Sequence, residues 1–310
     1  MNYFIILEFL FAALGLYIGS LLLISGAVKI SKKFNLSDFL IGTTVIAIAT
    51  SLPELLILIN SANVPEHSNN FIYGTILGSN VANTCLILGG TLLITFKSRF
   101  KFEVKKIKQN YIIIFLATLL FCMYGIINTK IILFFLILAT AFFYFKNYSD
   151  NSNNVGDFNK SEISISRAVL YIIFGSLTIY GSSNALVSIA VKFIDIFGIE
   201  NTLVSSIFMA LSTSSPEIIT SLISVYKYQK NDFVLGNIFG SNIANFLIFS
   251  IISILYGISF PIFSNFTILL LLLAEFMMLL IVFLPIRKNI LPNYCGIFLV
   301  FIYIIFVVKI

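Results

Sequence analysis

Long apolar runs, each about 20 residues, recur along the chain and are parted by short polar stretches. A helix rising about 1.5 Å per residue needs roughly that length to cross a hydrocarbon core about 30 Å thick. Ten such spans are predicted, at about 6–29, 38–61, 71–96, 109–126, 130–146, 167–193, 201–226, 233–257, 264–284 and 292–309. Backbone groups in lipid must find their hydrogen bonds internally, so the spans are expected to be helical. The predicted fold class is therefore an all-α integral membrane protein. The first run extends to about Ile30 with no basic segment ahead of it, and reads as a retained span rather than a cleaved signal peptide. The longest polar stretch, residues 147–166, separates the fifth and sixth spans.

Composition agrees with the pattern. Of 310 residues 59% are hydrophobic and only 10% charged, with a mean hydropathy of +1.04, where a soluble domain carries about 25% charge. The net charge of +6 is explained by orientation. With the N-terminus outside, sixteen of the lysines and arginines fall on inner loops and three, Lys130, Lys192 and Lys309, on outer ones. That is a strong positive-inside bias. It places both termini outside and the central stretch in the cytoplasm, in a multi-pass protein of the cell (inner or plasma) membrane. The expected partner is the lipid bilayer, with no nucleic acid, and a monomer is expected. Cys85, Cys122 and Cys295 are odd in number and scattered, which suggests neither a disulfide framework nor a metal spacing.

The chain also repeats itself. Residues 43–54, TTVIAIATSLPE, return as 206–217, SIFMALSTSSPE, and residues 74–83, GTILGSNVAN, return as 236–245, GNIFGSNIAN; the offsets are 163 and 162. Two five-span halves follow, 1–146 and 167–310, joined by the linker 147–166, with the duplicated motifs at 43–90 and 206–252. Five is odd, so the second half enters the membrane inverted relative to the first. Inverted repeats characterise secondary transporters.

Both repeated segments lie inside spans. Pro53 lacks an N–H and crowds the carbonyl of Ala49, and Pro216 does the same to Ser212. The helices must kink or loosen there, and nearby carbonyls, such as those of Ala47 and Thr50 and, in the second repeat, Ala210, can then turn toward a ligand. Beside each break stands an acid, Glu54 or Glu217. A carboxylate at membrane depth costs a few kcal/mol or more. Two at equivalent positions, each flanked by Thr50-Ser51 or Thr213-Ser214, point to an oxygen-lined cation site. Ca2+ takes about 6–8 oxygens, and two glutamates balance its charge. The lone histidine, His67, falls in an outer loop, and no soft ligand is near. Ser79 with Asn83, and Ser241 with Asn245, stand four apart on one helical face and can add neutral oxygens suited to Na+. A third intramembrane acid, Glu275, has no repeat mate, and we expect a private structural role for it.

The pairs TSLPE with GSNVAN and TSSPE with GSNIAN resemble the two alpha-repeats of the calcium/cation antiporter superfamily, nearest its prokaryotic Na+/Ca2+ exchangers. The resemblance implies ten helices and alternating access, with the bundle of spans 1 and 6 sliding and several Na+ exchanged for one Ca2+, and no cofactor. By motif position it puts the Ca2+-binding glutamates on Glu54 and Glu217, with Thr50 and Thr213 beside the ion. It puts Na+-site hydroxyls on Ser51, Ser79, Ser214 and Ser241, and the central amide on Asn83. The chain departs from the family at Asn245, where several exchangers carry aspartate, at Ala49 and Ser212, where glycine is usual, and at Thr75, where asparagine is usual. The alternatives are an H+-coupled exchanger, an intramembrane carboxylate enzyme, and a transport-inactive relative. No intramembrane histidine or aspartate pair favours the enzyme.

Overall fold

The computed structural model describes residues 2–62, 68–94, 104–127, 129–152, 164–197, 212–257, 265–283 and 294–309. All regular structure among them is helical. Ala210, His67 and most of the linker 147–166 lie outside the described residues. Among the described residues six helices are long and apolar enough to cross a membrane, at Phe4–Phe34, Thr75–Ile94, Lys108–Ile127, Lys130–Asp150, Ile165–Ile189 and Asn231–Tyr256. Shorter apolar helices cover Asp38–Thr50, Leu271–Leu280 and Tyr294–Val308. Large apolar side chains such as Phe4, Phe11, Phe134, Leu255 and Phe301 stand exposed along these helices. That is a surface suited to lipid rather than water.

The chain divides into two compact units. The first is formed by Met1–Pro53 and Tyr148–Asn237. Its frame is a pair of 33-residue helices, α1 (Asn2–Phe34) and α9 (Ile165–Phe197). They run antiparallel along a seam of small residues: Gly15 meets Ser182, Gly19 meets Gly175 and Gly26 meets Ala168. A Cβ on Gly175 would lie 2.6 Å from the Leu23 nitrogen, and one on Gly26 would lie 2.7 Å from the Ala168 carbonyl oxygen. Small residues permit this approach, which replaces the absent hydrophobic drive between helices in lipid. Leu16, Leu23, Ile24, Ile179 and Leu186 fill the seam. Its ends are tied by charge, with Lys192 and Glu8 2.9 Å apart and the Lys29 ammonium 3.9 Å from the Tyr171 ring centroid.

Helix α1 ends at Asn35, whose φ of +52° lets the Leu36 N–H return to the Ser31 carbonyl at 2.9 Å. Ser37 caps α2 (Asp38–Ile41), which runs through a π-wound segment, Gly42–Ile46, into α3 (Ala47–Thr50). The wider π turn comes where Gly42 presses on Gly236, a Cβ there lying 2.9 Å from the Gly236 Cα. Asp38 is held by the Ser31 hydroxyl at 3.1 Å and by Lys230 at 2.5 Å. Helix α4 (Leu52–Ala62) follows the break at Ser51 and α10 (Ser215–Tyr226) the break at Ser214. Helix α11 (Asn231–Tyr256) starts in this unit and runs on into the second.

The second unit comprises Glu54–Asn147 and Ile238–Lys309. Helix α5 (Ser68–Val81) passes through a π-wound segment, Ala82–Ile87, into α6 (Leu88–Ile94). Helices α7 (Val104–Ile127) and α8 (Lys130–Ser152) are pinned by a reciprocal amide pair, Asn110 and Asn147, at 3.0 and 3.1 Å. Helix α12 (Asn265–Phe283) packs on α7, and α13 (Tyr294–Lys309) packs on α6 through Gly89 and Gly296. Phe121 meets Phe246 at a tilt and Phe249 edge-on in the core.

Predicted spans 1, 4, 5, 6 and 8 come out as single helices that overrun most of their expected ends. Span 2 does not. It is divided at Ser51, and span 3 is rewound at residues 82–87.

Candidate functional site

In the first unit the site is built on two helix breaks of one shape. Ser51 has φ −86°, ψ 4°, and Ser214 has φ −87°, ψ 4°. Both lie in the sparsely allowed bridge region, two residues before a proline. The prolines therefore do not kink a running helix. They stand in the first turn of a new one, where a missing N–H is harmless. Glu54 and Glu217 fall in that same first turn, where unpaired amide dipoles favour a negative charge.

The freed carbonyls are partly occupied. The Ser212 carbonyl, opposite Pro216, accepts from the Ser215 hydroxyl at 2.7 Å. The Ala47 carbonyl accepts the Ser51 N–H at 3.0 Å and the Thr50 hydroxyl at 3.2 Å. Thr50 also meets Asn237 Oδ1 at 3.1 Å; Asn237 Nδ2 donates to Thr220 at 3.2 Å, and Thr220 donates to the Pro216 carbonyl at 2.7 Å. This relay ties the first break to the second helix start within the unit. Thr50 lies within interaction range of the Glu217 carboxyl, although its hydroxyl is directed to Ala47 and Asn237. Glu217 is fully buried, and among the described residues neither of its oxygens receives a hydrogen bond. The Ser214 and Ser221 hydroxyls are buried in the same condition. Thr213, Ser51, Pro53 and Pro216 are buried around the breaks.

In the second unit Glu54 is 1% exposed at the head of α4. Two amide bridges stand at equivalent positions of the repeat. Asn83 Nδ2 donates to Asn242 Oδ1 at 3.0 Å, and Asn245 Nδ2 donates to Asn80 Oδ1 at 2.9 Å. Asn245 Nδ2 also reaches Ser79 at 3.1 Å. Spending their N–H groups this way leaves Asn83 Oδ1 and Asn245 Oδ1 buried with no donor among the described residues, and the Ser241 hydroxyl likewise. Buried polar atoms are normally paired. Carboxylate, carbonyl and hydroxyl oxygens left without donors are the ligand chemistry of a hard cation.

Each described candidate residue is thus buried, and the two units hold them separately: Ala47, Thr50, Ser51, Pro53, Thr213, Ser214, Pro216 and Glu217 in the first, Glu54, Ser79, Asn83, Ser241 and Asn245 in the second. Sequence reading passed over Asn80, Asn242, Asn237 and Thr84. The first two stand inside the duplicated G-S-N-x-A-N segments, so the repetition itself marked them.

Comparison with known proteins gives one direction. The family described as sodium/calcium exchanger protein matches residues 4–147 and 167–310. An uncharacterised membrane protein of Methanocaldococcus jannaschii is 30% identical over 76% of this chain and 77% of its own length. The sodium/calcium exchanger MaX1 of Methanosarcina acetivorans is 27% identical over 82% of this chain and 85% of its own. A solved structure of the sodium-calcium exchanger NCX_Mj, soaked with 2.5 mM Na+ and 10 mM Sr2+, superposes with a TM-score of 0.82 at 24% identity, covering 100% of both chains.

Proposed function

Because the chain belongs to the sodium/calcium exchanger family, we propose that it is a secondary active antiporter exchanging Ca2+ for Na+ across the cell membrane. Glu54 and Glu217 supply the two negative charges that offset Ca2+. Thr50, Thr213 and nearby main-chain oxygens, including those at Ala47 and Ala210, complete its shell. Ser51, Ser79, Ser214 and Ser241, with Asn83 and Asn245, hold Na+ through neutral dipoles. The two ions share the glutamates and so compete, and competition combined with alternating access gives exchange. The observation that carries this reading is the set of buried oxygens without donors at Glu217, Ser214, Ser241, Asn83 and Asn245.

Two inverted five-helix repeats, 1–146 and 167–310, carry these residues. The antiparallel course of α1 and α9 and the shared backbone angles of Ser51 and Ser214 support that reading. The smooth small-residue seam between α1 and α9 suits a pair of helices that moves as one body during access. The name of the Methanosarcina relative supports Na+ as the coupling ion.

The test is 45Ca uptake into inside-out vesicles or proteoliposomes under separately imposed Na+, K+ and pH gradients. Uptake is expected to follow the Na+ gradient and to vanish in Glu54→Gln. Uptake that follows the pH gradient alone would move the coupling from Na+ to H+.

A further inference from the structure

The two amide bridges break the symmetry of the repeat in one respect. At the bridge from Asn245, Asn80 Nδ2 has no acceptor among the described residues. At the bridge from Asn83, the equivalent atom, Asn242 Nδ2, donates to the Thr84 hydroxyl at 2.9 Å. Thr84 in turn donates to Glu275 Oε1 at 3.1 Å, and the Tyr111 hydroxyl donates to Glu275 Oε2. The position equivalent to Thr84 in the second repeat is Phe246, which is apolar and buried. Asn83, Asn242, Thr84, Glu275 and Tyr111, the five members of this relay, all lie in the second unit and are all buried.

The relay has a direction. Both Glu275 oxygens accept, one from Thr84 and one from Tyr111, so the single Thr84 proton is given to Glu275. The Thr84 oxygen is then left to accept from Asn242. Asn242 must present its NH2 to Thr84 and its carbonyl to Asn83. Asn83 must give its NH2 to Asn242, and its own carbonyl oxygen is left facing away, where no described donor meets it. A buried amide without this bias can turn over and present N–H in place of oxygen, which a cation repels. Asn245 needs no such anchor, since its NH2 is held by Ser79 and Asn80 together.

We propose that Glu275 is a positioning residue for the transported ion: through Thr84 and Asn242 it fixes the Asn83 amide with its carbonyl oxygen toward the cation. This rests on the exchanger reading for the identity of the ion. It gives the third acid, which has no repeat mate, a task beyond holding α12 to α7. One net hydrogen bond is worth about 1 kcal/mol, or roughly a fivefold change in affinity.

The experiment measures Na+-driven 45Ca exchange in proteoliposomes for Thr84→Val, Glu275→Leu and Glu275→Gln, each alone and combined with Asn83→Ala. Thr84→Val and Glu275→Leu are expected to raise the half-saturating Ca2+ concentration about fivefold, with the maximal rate within about twofold. Glu275→Gln, whose carbonyl can still accept from Thr84, is expected to restore most of the affinity. In the Asn83→Ala background the same changes are expected to shift affinity less than about twofold, as coupled sites do in a double-mutant cycle. Shifts of equal size in both backgrounds, or none in Thr84→Val, would overturn the proposal. Absence of Na+-driven uptake in the wild type would instead sink the exchanger reading. The relay is then read from the side-chain amide signals of 15N-labelled protein: Asn83 is expected to move in Thr84→Val while Asn245 stays. An unmoved Asn83 signal would overturn the proposal by itself.

Discussion

A carboxylate with no donor or counter-charge is among the least favourable groups to bury, since its water is lost and nothing replaces it. Glu217 comes close to that state: it is fully buried, no hydrogen bond reaches its oxygens among the described residues, and its support comes from the first-turn amide dipoles and from Thr50 within interaction range. Replacing it with the isosteric amide removes the desolvation cost and also the charge a cation needs. Glu217→Gln is therefore expected to lower 45Ca exchange at least about a hundredfold. Its thermal unfolding in detergent, without added Ca2+, should occur no earlier than that of the wild type. A variant that lost both exchange and stability would make Glu217 a structural residue. This acid, its mate Glu54 and the flanking hydroxyls were legible in sequence, because duplication sets them in register with a proline and a Thr-Ser or Thr-Ser-Ser. Their partners were not. The amide partner of Thr50 lies 187 positions away and that of Asn83 lies 159 positions away. Local spacing carries no trace of such pairs. The expectation that Pro216 leaves the Ser212 carbonyl open missed Ser215, whose hydroxyl closes on it one turn later.

Among the elements, the length of apolar runs predicted where helices lie, but not how they are wound. The expected helix 38–61 is four segments and a break at Ser51, because proline is tolerated only in a first turn and the chain starts a new helix to provide one. The π segments at 42–46 and 82–87 left no readable mark, since one extra residue per turn does not disturb an apolar run. The α1–α9 seam offers a paired test within one helix. A Cβ on Gly175 would meet backbone of α1 at 2.6 and 2.8 Å, whereas one on Gly181 meets nothing within 4 Å. Backbone cannot give as a flexible side chain can. Gly175→Ala is expected to destabilise by about 1–3 kcal/mol through overpacking. Gly181→Ala is expected to be neutral or stabilising by up to about 1 kcal/mol, from helix propensity alone. Thermal or denaturant unfolding in detergent separates the two. Equal effects would show that the seam is not tightly closed at Gly175.

For the whole molecule, sidedness follows from charge more than from any contact. On the expected ten-span layout, sixteen basic residues fall inside against three outside, a bias that one missed or added span would scramble. Among the described residues six helices are long and apolar enough to cross a membrane, and the even or odd parity of the remaining segments decides which loops share a side. Single-cysteine labelling tests that parity directly. The native thiols Cys85, Cys122 and Cys295 are buried and leave the background low. Lys33, Lys130 and Lys227 are exposed near helix ends, so a cysteine at any of them is open to an impermeant maleimide on its own side. With both termini outside, Lys130→Cys should label in intact cells, while Lys33→Cys and Lys227→Cys should label only in inside-out vesicles. Lys33 and Lys227 belong to different expected halves, after the predicted first and seventh spans. An odd number of crossings in the first half is the only arrangement that inverts the second while leaving both of these positions on the cytoplasmic side and Lys130 on the other. Labelling of Lys33 and Lys227 from opposite faces would mean an even count, and so parallel rather than inverted halves.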